Sequence, residues 1–271
     1  MTDDLDQLAR QIRAEIITIA HESKSPHVGS CLSCVDILVA LYYNILSIRP
    51  EEPDWKSRDR FLLSKGHAAL ALYAVLAYRG FFSIDQLQTF NKKMSPFTQH
   101  PVWKNVPGVE VTSGSLGHGL GIGCGMAIAA KISGESYRTF VLVGDGECNE
   151  GSIWEAALFA QAKYLKNLIL IVDYNKWQAC GQSDEVLNLS PLKEKFFRFG
   201  WDAYEVDNGH DIGLIVGLLK TKLPSQERPI AIIAHTIKGK GVSFMQNKNR
   251  WHNQVPTKED VQNAKRELGV Q

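Results

Sequence analysis

The sequence predicts an α/β protein, with a doubly wound, mostly parallel sheet and helices on both of its faces. Three observations carry that expectation. Short runs rich in β-branched and aromatic residues stand at 139–143 and 168–172, and a third apolar run at 230–234 reads as a buried strand. The segments between them carry apolar residues at helical spacing, as Trp154, Ala157, Leu158 and Ala160 do. No internal repeat or linker-like stretch divides the chain, so residues 1–271 are expected to form a single domain with five or more strands.

From the N-terminus, Leu5, Leu8, Ile12, Ile16 and Ile19 fall on one stripe of an amphipathic helix over 5–20. Pro26 and Gly29 then force a loop around His27. A second helix is expected over 35–46, with Leu38, Leu41, Tyr42 and Ile45 facing inward. Pro50 and Pro53 mark a connection to a short strand at 60–63. Ser64, Lys65, Gly66 and His67 form the turn into a strongly apolar helix that Gly80 ends. A strand-to-helix turn of this kind puts His67 on the crevice side of the sheet. Ser83 reads as the N-cap of a helix over 84–90, and a proline-bearing loop over 94–111 carries His100. Glycines follow at 114, 117, 119, 121, 123 and 125. A glycine inside a helix costs about 1 kcal/mol against alanine, so this concentration calls for close backbone approach to a ligand or for tight helix packing. Beyond the central strands the pattern gives a helix over 192–199, a strand at 203–206 and a helix over 212–219. After the strand at 230–234 the chain leaves by a glycine-rich loop, and a short charged helix, expected at the periphery, ends it.

With 271 residues and 44% of them hydrophobic, the chain can bury a large core. Thirty basic residues stand against twenty-nine acidic ones, which offers no electrostatic footprint for nucleic acid or an anionic membrane surface. The opening MTDDLDQLAR is acidic and amphipathic, unlike a secretory leader, and no run reaches the roughly 20 apolar residues that span a bilayer. A cytoplasmic location is the expectation. Five cysteines form no disulfide framework. Cys31 and Cys34 make a CxxC without a second pair, and they read as two small residues on a helix surface rather than as a metal or redox site.

The chemistry concentrates in YRTFVLVGDGECNEGSIWEAALFAQAKYLKNLILIVDYNKWQACG, residues 137–181, which reads as strand, sharp turn, helix and strand. A crossover of this length joins neighbouring parallel strands, whose last residues point into one crevice. Asp145 and Asn175, 30 positions apart (175 − 145), occupy those two ends. A carboxylate and an amide oxygen are hard ligands suited to Mg²⁺ or Ca²⁺, and the backbone carbonyl of a residue such as Trp177 adds a third. Mg²⁺ held by so few protein oxygens completes its octahedron with water and phosphate. Gly144 and Gly146 present no side chain, which leaves room for a phosphate near the helix start. The pattern asks for a diphosphate-bearing cofactor.

The run GDG followed about thirty residues later by Asn resembles the thiamine diphosphate fingerprint, and GDGECNEG with DYNKW resembles the form found in transketolases. The resemblance covers most of the chain, because SPHVGS, SKGHAALALYA and QHPVWKNVPGVEVTSGSLGHG match further transketolase motifs in the same order. It implies the thiamine diphosphate-binding fold, with Asp145, Asn175 and the Trp177 carbonyl on the divalent ion that bridges the diphosphate. His67 and the amide of Gly144, beside Gly146, would meet phosphate oxygens. Gly114 and Leu116 would approach the aminopyrimidine through backbone groups, and Glu150 would face the partner's cofactor glutamate. His27 and His100 would line the substrate channel, binding hydroxyls and assisting proton transfer, which suits a side chain whose pKa lies near neutrality. His252, in RWHN, resembles the family's late histidine near the diphosphate.

Three departures from the family pattern stand out. Ala179 takes the place of an isoleucine that many transketolases set against the thiazolium, and His118 replaces a common glutamine. Full-length transketolases also continue into a pyrimidine-binding and a C-terminal domain that this sequence lacks. The resemblance therefore implies the N-terminal subunit of a split transketolase, an α2β2 heterotetramer with a separately encoded C-terminal subunit. Its reaction would move a two-carbon ketol group from a ketose, such as a sugar phosphate, to an aldose. The α subunit of a 2-oxoacid dehydrogenase shares GDG and Asn but lacks SKGH and PGVEVTSG, and 1-deoxyxylulose-5-phosphate synthase is normally one long chain. A non-catalytic subunit that keeps the cofactor fold is a further reading, against which intact Asp145, Asn175, Glu150 and His67 argue.

Overall fold

A computed structural model describes residues 2–270. The chain runs through α1 (Thr2–Glu22), α2 (Val28–Ser33), α3 (Val35–Ala40), β1 (Arg60–Leu63), α4 (Ala69–Arg79), α5 (Gly119–Ser133), β2 (Thr139–Gly144) and α6 (Gly151–Ala162). It continues through β3 (Leu168–Tyr174), α7 (Ser183–Leu187), α8 (Leu192–Arg198), β4 (Asp202–Val206), α9 (Ile212–Lys222), β5 (Ile230–His235) and α10 (Lys258–Leu268). The strands form one sheet in the order β1-β2-β3-β5-β4, and every neighbouring pair is parallel. Among the described residues, no helix is long and apolar enough to cross a membrane.

The central strands are apolar at nearly every position because both of their faces are covered. Phe140, Leu142, Ile169, Ile171, Ile230 and Ile232 turn to one face, where α1, α3, α4 and α9 complete a core. The alternate residues Val141, Val143, Leu168, Leu170, Val172 and Ile233 turn to the other, against α5, α6 and α8. This is the doubly wound arrangement that the strand and helix pattern predicts.

Several local expectations are corrected. The loop around His27 is shorter than expected, since helix begins at Val28, and the helix expected over 35–46 is regular only to Ala40 before a π-turn over Leu41–Ile45. Cys31 and Cys34 do not lie on a helix surface: they are 2% and 0% exposed, inside the first core. Burial pushes their thiols up to about 11 and about 12, which leaves them protonated and inert at neutral pH. Ser83 stands at the N-cap position of a 3-10 turn, Ile84–Thr89, but its side chain makes no capping bond. The closing helix α10 is not peripheral, because Val261, Ala264 and Leu268 are buried in the first core and only its outer face is charged. Leu158, expected at the apolar helical spacing of the central crossover, is exposed.

The glycine-rich helix α5 has a packing cause. A Cβ at Gly123 would lie 2.5 Å from Val141 Cγ2, and one at Gly119 would collide with the Ser64 side chain. At Gly121 and Gly125, on the outer side, a Cβ would meet nothing within 4 Å. The helix therefore lies against the sheet at a distance that only its inward glycines permit. Gly123→Ala should lower unfolding stability by about 1–3 kcal/mol through overpacking. Gly121→Ala should raise it by up to about 1 kcal/mol through helix propensity alone. Denaturant unfolding of the two variants checks the contrast, and equal effects would remove the packing explanation.

Candidate functional site

Gly144 pairs with Asp173 across β2 and β3, so Asp145 and Asn175, which follow, emerge at the same edge of the sheet. The chain turns at once after each. Beyond β2 a 3-10 turn, Gly146–Asn149, leads into α6. Beyond β3 the chain doubles back, with the Gln178 amide donating to the Gly181 carbonyl (2.8 Å) and the Ser183 amide to the Lys176 carbonyl (3.0 Å). That fold brings the Ser183 hydroxyl to Asp145, whose carboxylate accepts from it at 2.6 Å. Asn175 Oδ1 accepts from the Trp177 amide at 3.0 Å. Asp145 and Asn175 are each 4% exposed, and both line a cavity of about 280 Å³. His67, Leu116, Gly144, Gly146, Trp177, Ala179 and His252 share its wall, with Glu150 among the lining residues and exposed to solvent. A Cβ on Gly146 would come within 2.8 Å of the Gln178 side chain, which lies across that turn.

Three histidines from distant segments meet beside this cavity. The ring centroids of His27, His67 and His252 lie 5.1–5.5 Å apart. The His27 amide donates to the His252 carbonyl at 3.0 Å, which ties the start of α2 to the loop before α10. His27 itself has φ of 71°, a left-handed conformation uncommon outside glycine and held here by the surrounding contacts. His100 packs against Gly114, where an added Cβ would fall 3.0 Å from the His100 ring. Burial holds all four imidazoles below the ordinary histidine range. His67 lies well below it in company with Lys65 and His252, while His252, beside Lys238 and His27, falls to about 4. At neutral pH each ring is therefore uncharged, with one nitrogen to donate and one to accept.

Around this cluster lie charged groups that the sequence pattern does not single out. Lys238, in the loop after β5, is fully buried, with Nζ 3.3 Å from His252 Nδ1 and donating to the Gln178 carbonyl at 3.4 Å. Burial and the nearby Lys65 push its pKa down to about 8. Lys65 and Asp173 form an ion pair with side chains 1% and 0% exposed. Glu147 accepts from Ser64 Oγ, from the Gly117 amide (2.9 Å) and from the Gly144 amide (3.3 Å). The Gly144 amide, expected to face a phosphate, is thus engaged by a neighbouring carboxylate. Burial, with Asp173 nearby, pushes Asp145 up to about 6. His118 is exposed and pairs only with the Leu116 carbonyl (3.0 Å). A signal for the missed groups existed: Asp173 follows directly on the apolar run LILIV within the same buried strand, and a charge at such a position requires a buried partner. Among the described residues, no cluster of three or more His, Cys, Asp or Glu gathers to hold a metal ion.

The depressed histidine gives a test with a definite sign. Between about 4 and the ordinary value of 6.5 the unfolded chain protonates His252 while the native chain does not, so this group removes stability as pH falls through that window. Asp145 acts oppositely, because its raised native pKa adds stability as pH falls below about 6. His252→Gln removes the first effect and leaves the second. The melting temperature of the variant should therefore gain on the parent between pH 7 and pH 5, as read by calorimetric scans, and parallel curves would contradict the assigned burial of His252.

The same fold and motifs recur in known proteins. The family model described as "Transketolase, thiamine diphosphate binding domain" matches residues 5–271. An apulose-4-phosphate transketolase subunit of Phocaeicola vulgatus is 40% identical over 266 residues, covering 98% of this chain and 94% of that protein. A 6-deoxy-6-sulfo-D-fructose transketolase subunit of a Clostridium species is 39% identical over 265 residues, covering 98% and 96%. The crystal structure of transketolase from Campylobacter jejuni superposes with a TM-score of 0.92 at 30% identity, over 98% of this chain and 43% of that one. The chain therefore spans less than half the length of the solved transketolases it matches and nearly the whole length of the separate subunits. It belongs to the transketolase family, as the thiamine diphosphate-binding N-terminal domain that some relatives carry as a subunit of its own.

Proposed function

We infer that this chain, a single domain over residues 1–271, is the diphosphate-binding subunit of a cytoplasmic split transketolase that works as an α2β2 assembly. With a C-terminal subunit that supplies the pyrimidine-binding and C-terminal domains, it moves a two-carbon ketol group from a ketose to an aldose. The observation that carries this reading is the convergence of Asp145 and Asn175 from β2 and β3 on one cavity, with histidines and Lys238 beside them. Hard oxygens on one side and hydrogen-bond donors on the other are what a cation–diphosphate pair requires.

The residues present fit that group. Gln178 Nε2 and Asn149 Oδ1 belong to residues lining the cavity, and both are buried without a partner in the protein, a donor and an acceptor awaiting a polar ligand. Asp145 is a buried carboxylate without an ion pair, the kind of site that a divalent cation satisfies. Asp145, Asn175 and the Trp177 carbonyl would hold Mg²⁺ or Ca²⁺, while His67, Lys238 and the backbone at Gly146 would face phosphate oxygens. Gly114 and Leu116 would support the aminopyrimidine, and Ala179 leaves the thiazolium side open. Thiamine diphosphate supplies the carbanion chemistry by which the carbon–carbon bond is exchanged.

His27 and His100, kept neutral by burial, accept from a sugar hydroxyl at one nitrogen and donate at the other, so that they hold the substrate and pass protons, while His252, whose Nδ1 faces Lys238, stands near the diphosphate. Glu150, exposed at the start of α6, faces the partner subunit. The donor is a ketose with an anionic end, in keeping with relatives named for apulose 4-phosphate and 6-deoxy-6-sulfofructose. The partner grips most of that end.

Reconstitution with the C-terminal subunit should give ketol transfer from a ketose donor in the presence of Mg²⁺ and thiamine diphosphate. A complex that binds the cofactor yet transfers no ketol group from any ketose would overturn the catalytic reading. In that complex Asp145→Ala should abolish Mg²⁺-dependent thiamine diphosphate binding measured by calorimetry; unchanged affinity would remove Asp145 from the metal site.

A further inference from the structure

In the wall of the cavity, where Lys65 is a lining residue, lies a buried ion pair to which the proposed chemistry gives no task. Asp173, in β3, is 0% exposed, and Lys65, in the turn after β1, is 1% exposed. Lys65 Nζ donates to Asp173 Oδ2 and to the Ser30 carbonyl at 3.0 Å. Asp173 Oδ2 also accepts from Ser33 Oγ (2.6 Å), and Oδ1 accepts from Thr236 Oγ1. The pair therefore links α2, β3 and the exit of β5 through the turn that carries His67.

Stability alone does not account for such a pair. Two desolvated charges are often matched or bettered by apolar side chains of the same volume, and the sheet around Asp173 is apolar on both faces. One further contact supplies a reason. Asn175 Nδ2 donates to Asp173 Oδ2 at 3.4 Å. A carboxamide has an oxygen and an amino group of nearly equal size, and only the oxygen can ligate a cation. An ionised carboxylate can only accept, so it selects the amino end of Asn175 and turns Oδ1 away, toward the Trp177 amide. Asp173 pairs across the strands with Gly144, the residue before Asp145, so its carboxylate lies beside both proposed ligands. Without a counter-charge it would be a second free carboxylate beside the cation.

We propose that the Lys65–Asp173 pair is a positioning device for the metal site: Asp173 orients the Asn175 carboxamide oxygen toward the cation, and Lys65 keeps Asp173 from becoming a ligand itself. The inference rests on the reading of Asp145 and Asn175 as metal ligands.

The test uses the chain assembled with its C-terminal partner. The Mg²⁺ concentration that gives half-maximal thiamine diphosphate binding is measured by calorimetry, together with the melting temperature without cofactor. Lys65→Met/Asp173→Val removes both charges at close to constant volume. It should melt within a few degrees of the parent while needing about tenfold more Mg²⁺ or beyond, the range usual for partners that orient metal ligands. A pair that is only structural would shift the melting temperature and leave the Mg²⁺ requirement where it was, which would overturn the proposal. Should the double variant fail to fold, Asp173→Asn weakens the acceptor without changing its size. It should lower the melting temperature, because Lys65 loses its counter-charge, and raise the Mg²⁺ requirement of the folded assembly severalfold; no rise in that requirement would equally overturn the proposal. Asp145→Ala separates the two readings. If it leaves Mg²⁺-dependent binding intact, the metal site itself is misassigned; if it abolishes binding while both pair variants behave as the parent, only the positioning role fails.

Discussion

The register between β2 and β3 governs the site. Parallel pairing puts Gly144 opposite Asp173, and the residues that leave the sheet next deliver a carboxylate and a carboxamide to the same cavity. A slip of one residue would turn every apolar side chain of a strand to the wrong face, so the two cores that fix the register also fix where Asp145 and Asn175 meet. The chemistry thus stands on packing that never touches it. Crossover helices on both faces make the pairing possible, and the tight approach of α5, through Gly119 and Gly123, closes one of them.

The second organising feature is the number of charges that the C-terminal edge of the sheet buries. Lys65, Asp173, Glu147, Asp145 and Lys238 are all at least 96% removed from solvent. Each is held by partners or by the demand for a ligand. Lys65 and Asp173 neutralise one another, and Glu147 is surrounded by donors from Ser64, Gly117 and Gly144. Asp145 and Lys238 are less fully answered within the chain, and their displaced protonation reflects it. Residues left in that condition are what a cation and an anionic cofactor can stabilise by binding.

The same low-dielectric setting explains the histidines. His27, His67 and His252, close to buried ammonium groups, and His100, through burial alone, stay uncharged at neutral pH, because protonation would add a cation where there is little water to solvate it. Neutral rings keep both a donor and an acceptor nitrogen, so each can hold a polar group from either side. The left-handed backbone at His27 shows that this gathering is imposed by the fold.

How much of this was legible beforehand follows from the range of the interactions. Local patterns determined the α/β class, the central βαβ unit and the placing of Asp145 and Asn175 at the ends of neighbouring strands, because strand periodicity, glycine turns and motif spacing act within a few tens of residues. The order of motifs determined the family as well. Only the tertiary structure brought His252 to His27 across the length of the chain, buried Cys31 and Cys34, and seated α10 on α1. It also decided that Lys65 meets Asp173 and that Lys238 meets His252. Contacts of that kind join residues far apart in sequence, and the burial that gives them their energetic weight is a property of the packed fold, which no local pattern of residues encodes.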